Sequence, residues 1–395
     1  MALMLFVNHA GHEVPWVAHA AWDGVHLADL VMPCFLLLVG VSVALSLGPR
    51  ASGPRRPLLR KVLARTGKLA GLGLLIQGGV GAGAFPAWDL SRLRYCGVLQ
   101  RIALCFALVS LVVLYLPQTP SPRLQSLLDR GDESASLMAP FRFYALWWIL
   151  GTALFVAFNW MALFLRPPGC LARPALTADC NVAAYVDARL LGRSHLYPWP
   201  SCRRANPPCE YLDPEGLFAT LSGALASTFL GLWFGAVLLT LRGHRARLRS
   251  WAYASVLLTE LGLALHVTGA VPFNKNLYSA SSVLLTAGSS GAFLGLVYLF
   301  TEVAPTKIFE RVAAPFMWLG MNSIAVYAGD EILEKAIPWI YWGDREIHLL
   351  SAVEGAFKRV FGEGAISDLA LAAADVVFWM GVAGWLHRKR WYAKL

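Results

Sequence analysis

Charge is what this sequence has least of: Asp, Glu, Lys and Arg together make 15% of its 395 residues, against 57% hydrophobic. Charge this sparse between long apolar runs excludes a soluble domain of this size, and the mean hydropathy of +0.54 agrees. Lipid is the solvent to reason in. Heptads, low-complexity tracts and solenoid repeats are missing, so one membrane domain over residues 1–395 is expected. The N-terminal residues lack a basic n-region and a small-residue cleavage site, which excludes a signal peptide. A basic face interleaved with aromatics is missing as well. The net charge of +10 comes from Lys and Arg in short loops beside apolar runs, so it reads as membrane topology and not as nucleic-acid binding. No CxxC pair occurs, which makes zinc the weaker reading of the cysteines, and no metal is expected. An inverted repeat is also absent: the polar cluster from Asn8 to Asp29 has no counterpart in the second half, which weakens the alternative of a small-solute transporter.

What is present is an all-α, polytopic pattern of about ten transmembrane helices, since a span needs ~20 apolar residues. A stub covers about 1–10, and runs follow near 26–48, 62–84, 97–116, 142–165, 214–241, 251–270, 277–301, 316–338 and 366–386. Met1 to Ala10 would make only ~15 Å of helix, about half a bilayer, so the first span is expected to be truncated. Basic residues collect after the second span (Arg50, Arg55, Arg56, Arg60, Lys61), after the sixth (Arg242, Arg245, Arg247, Arg249) and in the tail (Arg388, Lys389, Arg390, Lys394). With alternating spans all three groups share one face, which the positive-inside rule makes cytosolic, the C-terminus included.

The cysteines test that assignment independently. Cys34, Cys96 and Cys105 lie in or beside spans, whereas Cys170, Cys180, Cys202 and Cys209 all fall in the one long loop, 166–213, on the opposite face. An even set in one lumenal loop reads as two disulfides with three pairings open.

Polar groups at membrane depth mark either interhelical glue or a site. The first cluster is Asn8, His9, His12, His19, His26 and Asp29. Asp29 opens a membrane helix, where a carboxylate suits the N-terminus as a cap, and Trp16 and Trp22 flank His19 as an interfacial anchor would. The chemical reading is a histidine able to act as a base near neutral pH, oriented by Asp29. Further clusters are Gln100 and Arg101 opening the fourth span, Asn274, Lys275, Asn276 and Ser279 opening the eighth, and Asn322, Ser323 and Tyr327 in the ninth. Ser323, Tyr327 and Asp330, at i, i+4 and i+7, share a helix face. Occurring together, these clusters favour one polar cavity over unrelated packing pairs.

At the same residues the chain resembles the heparan-α-glucosaminide N-acetyltransferase family, over nearly its whole length. The resemblance is carried by Phe6-Val7-Asn8, His19-Ala20-Ala21-Trp22-Asp23-Gly24, Ala28-Asp29-Leu30-Val31-Met32-Pro33 with Gly40, and Gly97-Val98-Leu99-Gln100-Arg101. It continues through Asp187, His195-Leu196-Tyr197, Asp213-Pro214-Glu215-Gly216, Pro272-Phe273-Asn274-Lys275-Asn276-Leu277-Tyr278 and Gly320-Met321-Asn322-Ser323. The resemblance implies that the family's active-site histidine is His19 and its associated asparagine Asn8. It implies acetyl-CoA as cytosolic donor, an amino sugar as lumenal acceptor, and a lysosomal, vacuolar or other endomembrane setting. Lys275 and Arg101 are then candidates for steadying negative charge on donor or acceptor. A covalent acetyl-histidine relay and direct transfer both stay open, as do a homodimer and a catalytically inactive relative. Two features depart from the family: an Asp-x-x-Arg-Gly-like start to the first span and the large extra lumenal domain of animal members.

Overall fold

The computed structural model describes residues 1–10, 14–50, 53–77, 90–116, 144–170, 174–206, 208–209, 216–336, 341–342 and 347–393. His12, Asp213 to Glu215 and Lys394 therefore lie outside the described residues. Apart from a two-residue antiparallel pairing of Tyr341–Trp342 with Ile347–His348, the regular elements are helical.

In chain order the helices are α1 (Ala2–Ala10), α2 (Val31–Leu47, entered through a tight turn at Leu27–Leu30), α3 (Arg55–Gln77), α4 (Val98–Tyr115) and α5 (Ala145–Phe164). They continue with α6 (Val182–Leu190), α7 (Leu217–Thr240), α8 (His244–Val267), α9 (Ala280–Val303), α10 (Lys307–Met321), α11 (Ser323–Ala336), α12 (Leu349–Phe361) and α13 (Ala365–Arg388). Six of them, counting α2 with its flanking turns as Leu27–Arg50, are long and apolar enough to cross a membrane; α10 and α11 make a seventh if their 74° bend lies within one span.

Within the described residues the expected runs fall on helices, with 316–338 divided between α10 and α11, but six or seven apolar spans are found where about ten are expected, and the elements differ in four places for physical reasons. α3 and α8 begin at Arg55 and His244, so basic residues expected in loops form their first turns. Lys and Arg are good helix formers with long stems that reach back to water, so a helix need not stop where hydropathy does. The expected loop 339–365 contains α12, whose Leu349, Val353, Phe357 and Val360 recur at helical spacing on a segment too short to span. The long loop 166–213 likewise contains α6, capped by the Asn181 side chain accepting from the Ala184 amide.

Packing centres on α2, which lies along α7. Gly40 faces the backbone of Thr228 and Leu232, and Gly231 faces the Leu37 carbonyl, so closely that a Cβ at either glycine would collide with main chain. In lipid, such close backbone approach replaces the hydrophobic drive that holds soluble helices together. Around this pair, Leu36, Val43 and Cys105 pack with Phe229 and Leu232, while Leu37, Phe234, Trp251 and Ala287 bring in α8 and α9. A second cluster joins α1 (Met4, Leu5), α3 (Leu69, Ile76), α4 (Leu99, Ala103), α11 (Val326, Tyr327) and α13 (Trp379, Ala383). The space between these two clusters holds the site.

The long loop is fastened by two disulfides, Cys170–Cys180 and Cys202–Cys209, which resolves the pairing left open by the sequence. Cys34, Cys96 and Cys105 take no part in these disulfides.

Candidate active site

Asp29 sits in the turn that leads into α2 and is 2% exposed. Its Oδ2 accepts from the backbone amides of Ala20 (3.2 Å) and His26 (2.9 Å), and its Oδ1 lies 2.7 Å from His19 Nδ1. The cap and the catalytic readings of Asp29 thus describe the same side chain. Two amides and an imidazole saturate the carboxylate, which fixes the ring and favours the proton on Nδ1, leaving Nε2 as the chemically available nitrogen.

The strand-like segment around His19 is held against the turn between α8 and α9. Asp23 and Asn274 form a backbone bridge, the Gly24 amide donates to the Phe273 carbonyl (2.8 Å), and Asn274 Nδ2 donates to Asp23 Oδ1 (3.2 Å). Partial burial pushes the Asp23 carboxyl above the usual carboxylate range, with the Asn274 hydrogen bond and nearby His266 opposing. This docking carries Lys275 to His19, where Nζ stands 3.0 Å from Nδ1 and 3.1 Å from Nε2. Asn276 Nδ2 donates to the Ala21 carbonyl (3.3 Å), and Ser201 from the disulfide-bearing loop donates to Asn276 Oδ1 (3.0 Å). Arg204 of the same loop donates to the His19 carbonyl (2.8 Å).

His19 and Lys275 close one end of a cavity of about 240 Å³. On α2 the lining runs from Val31 to Val39, nine residues or ~12 Å of axis. Asn8 on α1 and Ser323, Tyr327 and Glu331 on α11 contribute polar groups, and Arg65 on α3 lines it together with Val39 and Ile102. The His19 side chain is 41% exposed, to this space and its mouth. A long, mostly apolar slot with a histidine–carboxylate pair at one end and a guanidinium among its lining suits an extended substituent with an anionic head better than a compact solute.

Over 364 residues, 86% of this chain and 53% of the relative, the sequence is 30% identical to the heparan-alpha-glucosaminide N-acetyltransferase of Mus musculus. Over 366 residues, 86% and 52% respectively, it is 31% identical to the protein of the same name from Homo sapiens. The chain is similar to these proteins over most of its own length. It spans about half the length of these curated relatives. No family model matches it.

The structure brings together only some of the residues that the family pattern singles out. His19, Asp29 and Lys275 are in contact; Asn8, Ser323 and Tyr327 share their cavity. Asn274, Asn276 and Ser279 shape the turn instead: Asn274 Oδ1 accepts from the Leu277 amide (2.9 Å), and Ser279 Oγ accepts from the Asn274 amide and donates to the Pro272 carbonyl. Arg101 is buried at 1% exposure, with its guanidinium 4.8 Å above the Tyr278 ring and Nε donating to Thr220 (3.3 Å), so it braces the turn from behind and does not line the cavity. Tyr278 has a positive φ of 50°, unusual for an aromatic residue, and this directs its ring onto Arg101. Gln100 lies against α3 at Gly73, beside the cavity-lining Leu99. Asn322 is fully buried at the α10–α11 break, and its side-chain amide makes no hydrogen bond among the described residues.

Trp22 donates to the Leu176 carbonyl (2.9 Å) and so fastens the long loop, whereas Trp16, 62% exposed, keeps the geometry of an interfacial anchor. Asp187 and His195 are loop braces: Asp187 Oδ1 accepts from the Phe218 amide (2.8 Å), and His195 stacks on Tyr95. Two cavity groups, Arg65 and Glu331, were missed in the sequence. The available signal for Arg65 was a charge inside the expected span 62–84.

Proposed function

We propose that the chain is a transmembrane acetyltransferase that moves an acetyl group from cytosolic acetyl-CoA to the amine of an amino sugar on the lumenal side, with His19 as the catalytic residue. The observation that carries this reading is the His19–Asp29 hydrogen bond beside a cavity lined by residues of α1, α2, α3, α4 and α11. Acetyl-CoA does not cross a bilayer, so transfer needs a passage with its reactive residue at the acceptor end. The disulfide-bearing loop beside His19 supports reading that end as lumenal, and the arginine-rich first turns of α3 and α8 support reading their side, with the C-terminus, as cytosolic. An endomembrane such as that of the lysosome or vacuole fits this sidedness.

His19 Nε2 takes the proton of the acceptor amine as its nitrogen forms a bond to the thioester carbonyl carbon, and the carbon–sulfur bond breaks to release the thiolate. Asp29 holds the ring and offsets the positive charge it acquires. Asn8 Nδ2 donates to the carbonyl oxygen as it becomes an oxyanion, a contribution of about 3 kcal/mol for a single such donor. Lys275 keeps a positive charge beside the ring, which favours neutral imidazole before reaction and adds to the field on the oxyanion. Arg65 pairs with anionic groups of the donor along the slot.

Proteoliposomes supplied with labelled acetyl-CoA on one face and glucosamine on the other test the proposal. Acetylated sugar should collect on the face opposite the donor, and product only when both reactants share a face would reject transmembrane transfer. Quenching without acceptor separates the two chemical routes: label retained on protein and lost in His19→Ala marks a covalent relay, and no retained label marks direct transfer.

A further inference from the structure

We propose that His9, Asp330 and Asp375 form a divalent-cation site of the zinc or manganese class, separate from the His19 centre. The three side chains come from three different helices, α1, α11 and α13, and one ligand atom from each lies within 4.8 Å of the other two. They are mostly shielded, with side-chain exposures of 23%, 5% and 18%.

The spacing points to an ion between them. His9 Nε2 is 3.9 Å from Asp330 Oδ1 and 3.6 Å from Asp375 Oδ2, longer than the ~2.7–3.2 Å of a direct hydrogen bond. Ligands ~2.1 Å from a tetrahedral ion stand ~3.4 Å apart, a few tenths of an ångström less than the two distances from His9. Asp375 Oδ2 is itself a buried oxygen, and among the described residues no donor stands in good hydrogen-bond geometry to it. Trp379, one turn on from Asp375, donates through Nε1 to Asp330 Oδ1 at 3.0 Å, an outer contact of the kind that orients ligating carboxylates.

Charge points the same way. Two aspartates converge with one imidazole between helices, and Glu334, on α11, adds negative charge within electrostatic reach of His9 and Asp375. Carboxylates so placed are costly without a cation between them. One imidazole nitrogen with carboxylate oxygens suits zinc or manganese, whereas magnesium and calcium favour all-oxygen shells. A bound ion would pin α1, which carries Asn8, to α11, which carries Ser323 and Tyr327, and so hold two walls of the slot in register.

The test uses the full chain in nanodiscs, stripped with chelator and reloaded with Co²⁺ as a spectroscopic probe. The proposal expects about one Co²⁺ per chain with visible ligand-field absorption, and a melting temperature raised by Zn²⁺ or Mn²⁺. Asp375→Asn should lose both, and so should His9→Gln, which carries the same readout should the aspartate variant fail to fold. His19→Ala should keep both, which separates this site from the catalytic histidine. A wild-type chain that takes up no Co²⁺ and melts identically with and without Zn²⁺ and Mn²⁺ overturns the proposal, as does absorption that persists in both variants. Melting that responds to pH but to none of the ions also overturns it, in favour of a proton shared among the three groups.

Discussion

His19 and His9 each face a buried aspartate, yet His19 stands 2.7 Å from Asp29 whereas His9 stands 3.9 Å from Asp330 and 3.6 Å from Asp375. The difference lies in what delivers the carboxylate. Asp29 arrives on a tight turn ten residues from His19, where the amides of Ala20 and His26 draw it in and local backbone adjusts until every donor is satisfied. Asp330 and Asp375 ride on separate helices whose spacing is set by packing of residues such as Trp379 and Val326, which leaves their oxygens beyond hydrogen-bond distance of His9 Nε2. A loop-built pair is saturated and holds one ring in one orientation; a helix-built group leaves room for a third party. The two regions should respond differently to the same kinds of substitution.

The largest effect expected is at His19. Replacement by alanine should lower acetyl transfer at least ~10²-fold while leaving acetyl-CoA affinity nearly unchanged, because the proposed donor entry from the cytosolic side puts its nucleotide and phosphates away from the ring. Steady-state rates together with calorimetric titration of the donor check this; an active His19→Ala enzyme would reject the site, and loss of donor binding would make the histidine structural.

Asp29→Asn should follow at roughly 10-fold to 10²-fold, since the asparagine amide can orient the ring in its wrong tautomer but cannot balance an imidazolium. Combined with His19→Ala it should add almost nothing, as for residues that act as one unit. Additive losses in that double variant would break the view of a single locked pair.

A smaller loss is expected from Cys202→Ser with Cys209→Ser. Opening this loop should cost about 2–3 kcal/mol of local stability and loosen the Ser201–Asn276 and Arg204–His19 contacts, lowering kcat severalfold with little change in donor affinity. Hydrogen exchange at residues 19–24 and 272–279 should rise in parallel. Unchanged exchange there would show that the loop does not brace the site.

The smallest effect concerns Asp23. Its carboxyl is pushed up in the folded protein by partial burial, so the folded state binds its proton more tightly than the unfolded chain does. Stability from this group is therefore lost as pH rises through the carboxylate range, and Asp23→Asn should flatten melting temperature between about pH 4 and about pH 7. Solvent screening keeps the change below about 0.5 kcal/mol. A steeper profile in the variant would contradict the sign.

The sequence by itself determined the all-helical membrane character, the order of the apolar helices and the residues worth suspecting at His19, Asp29 and Lys275, because hydropathy and residue chemistry are local properties. It also placed four cysteines in one loop, but their pairing depended on which sulfurs the folded loop brings within reach. Tertiary structure alone decided that Lys275 meets His19 across 256 positions of chain and that Arg101 turns away beneath Tyr278. It alone set Arg65 in the slot wall and carried Asp330, expected on the face of Ser323 and Tyr327, to His9 and Trp379. Those outcomes depend on how helices distant in sequence rotate and pack, set here by close backbone approach at Gly40 and Gly231, and no periodicity within one segment encodes its neighbour's rotation.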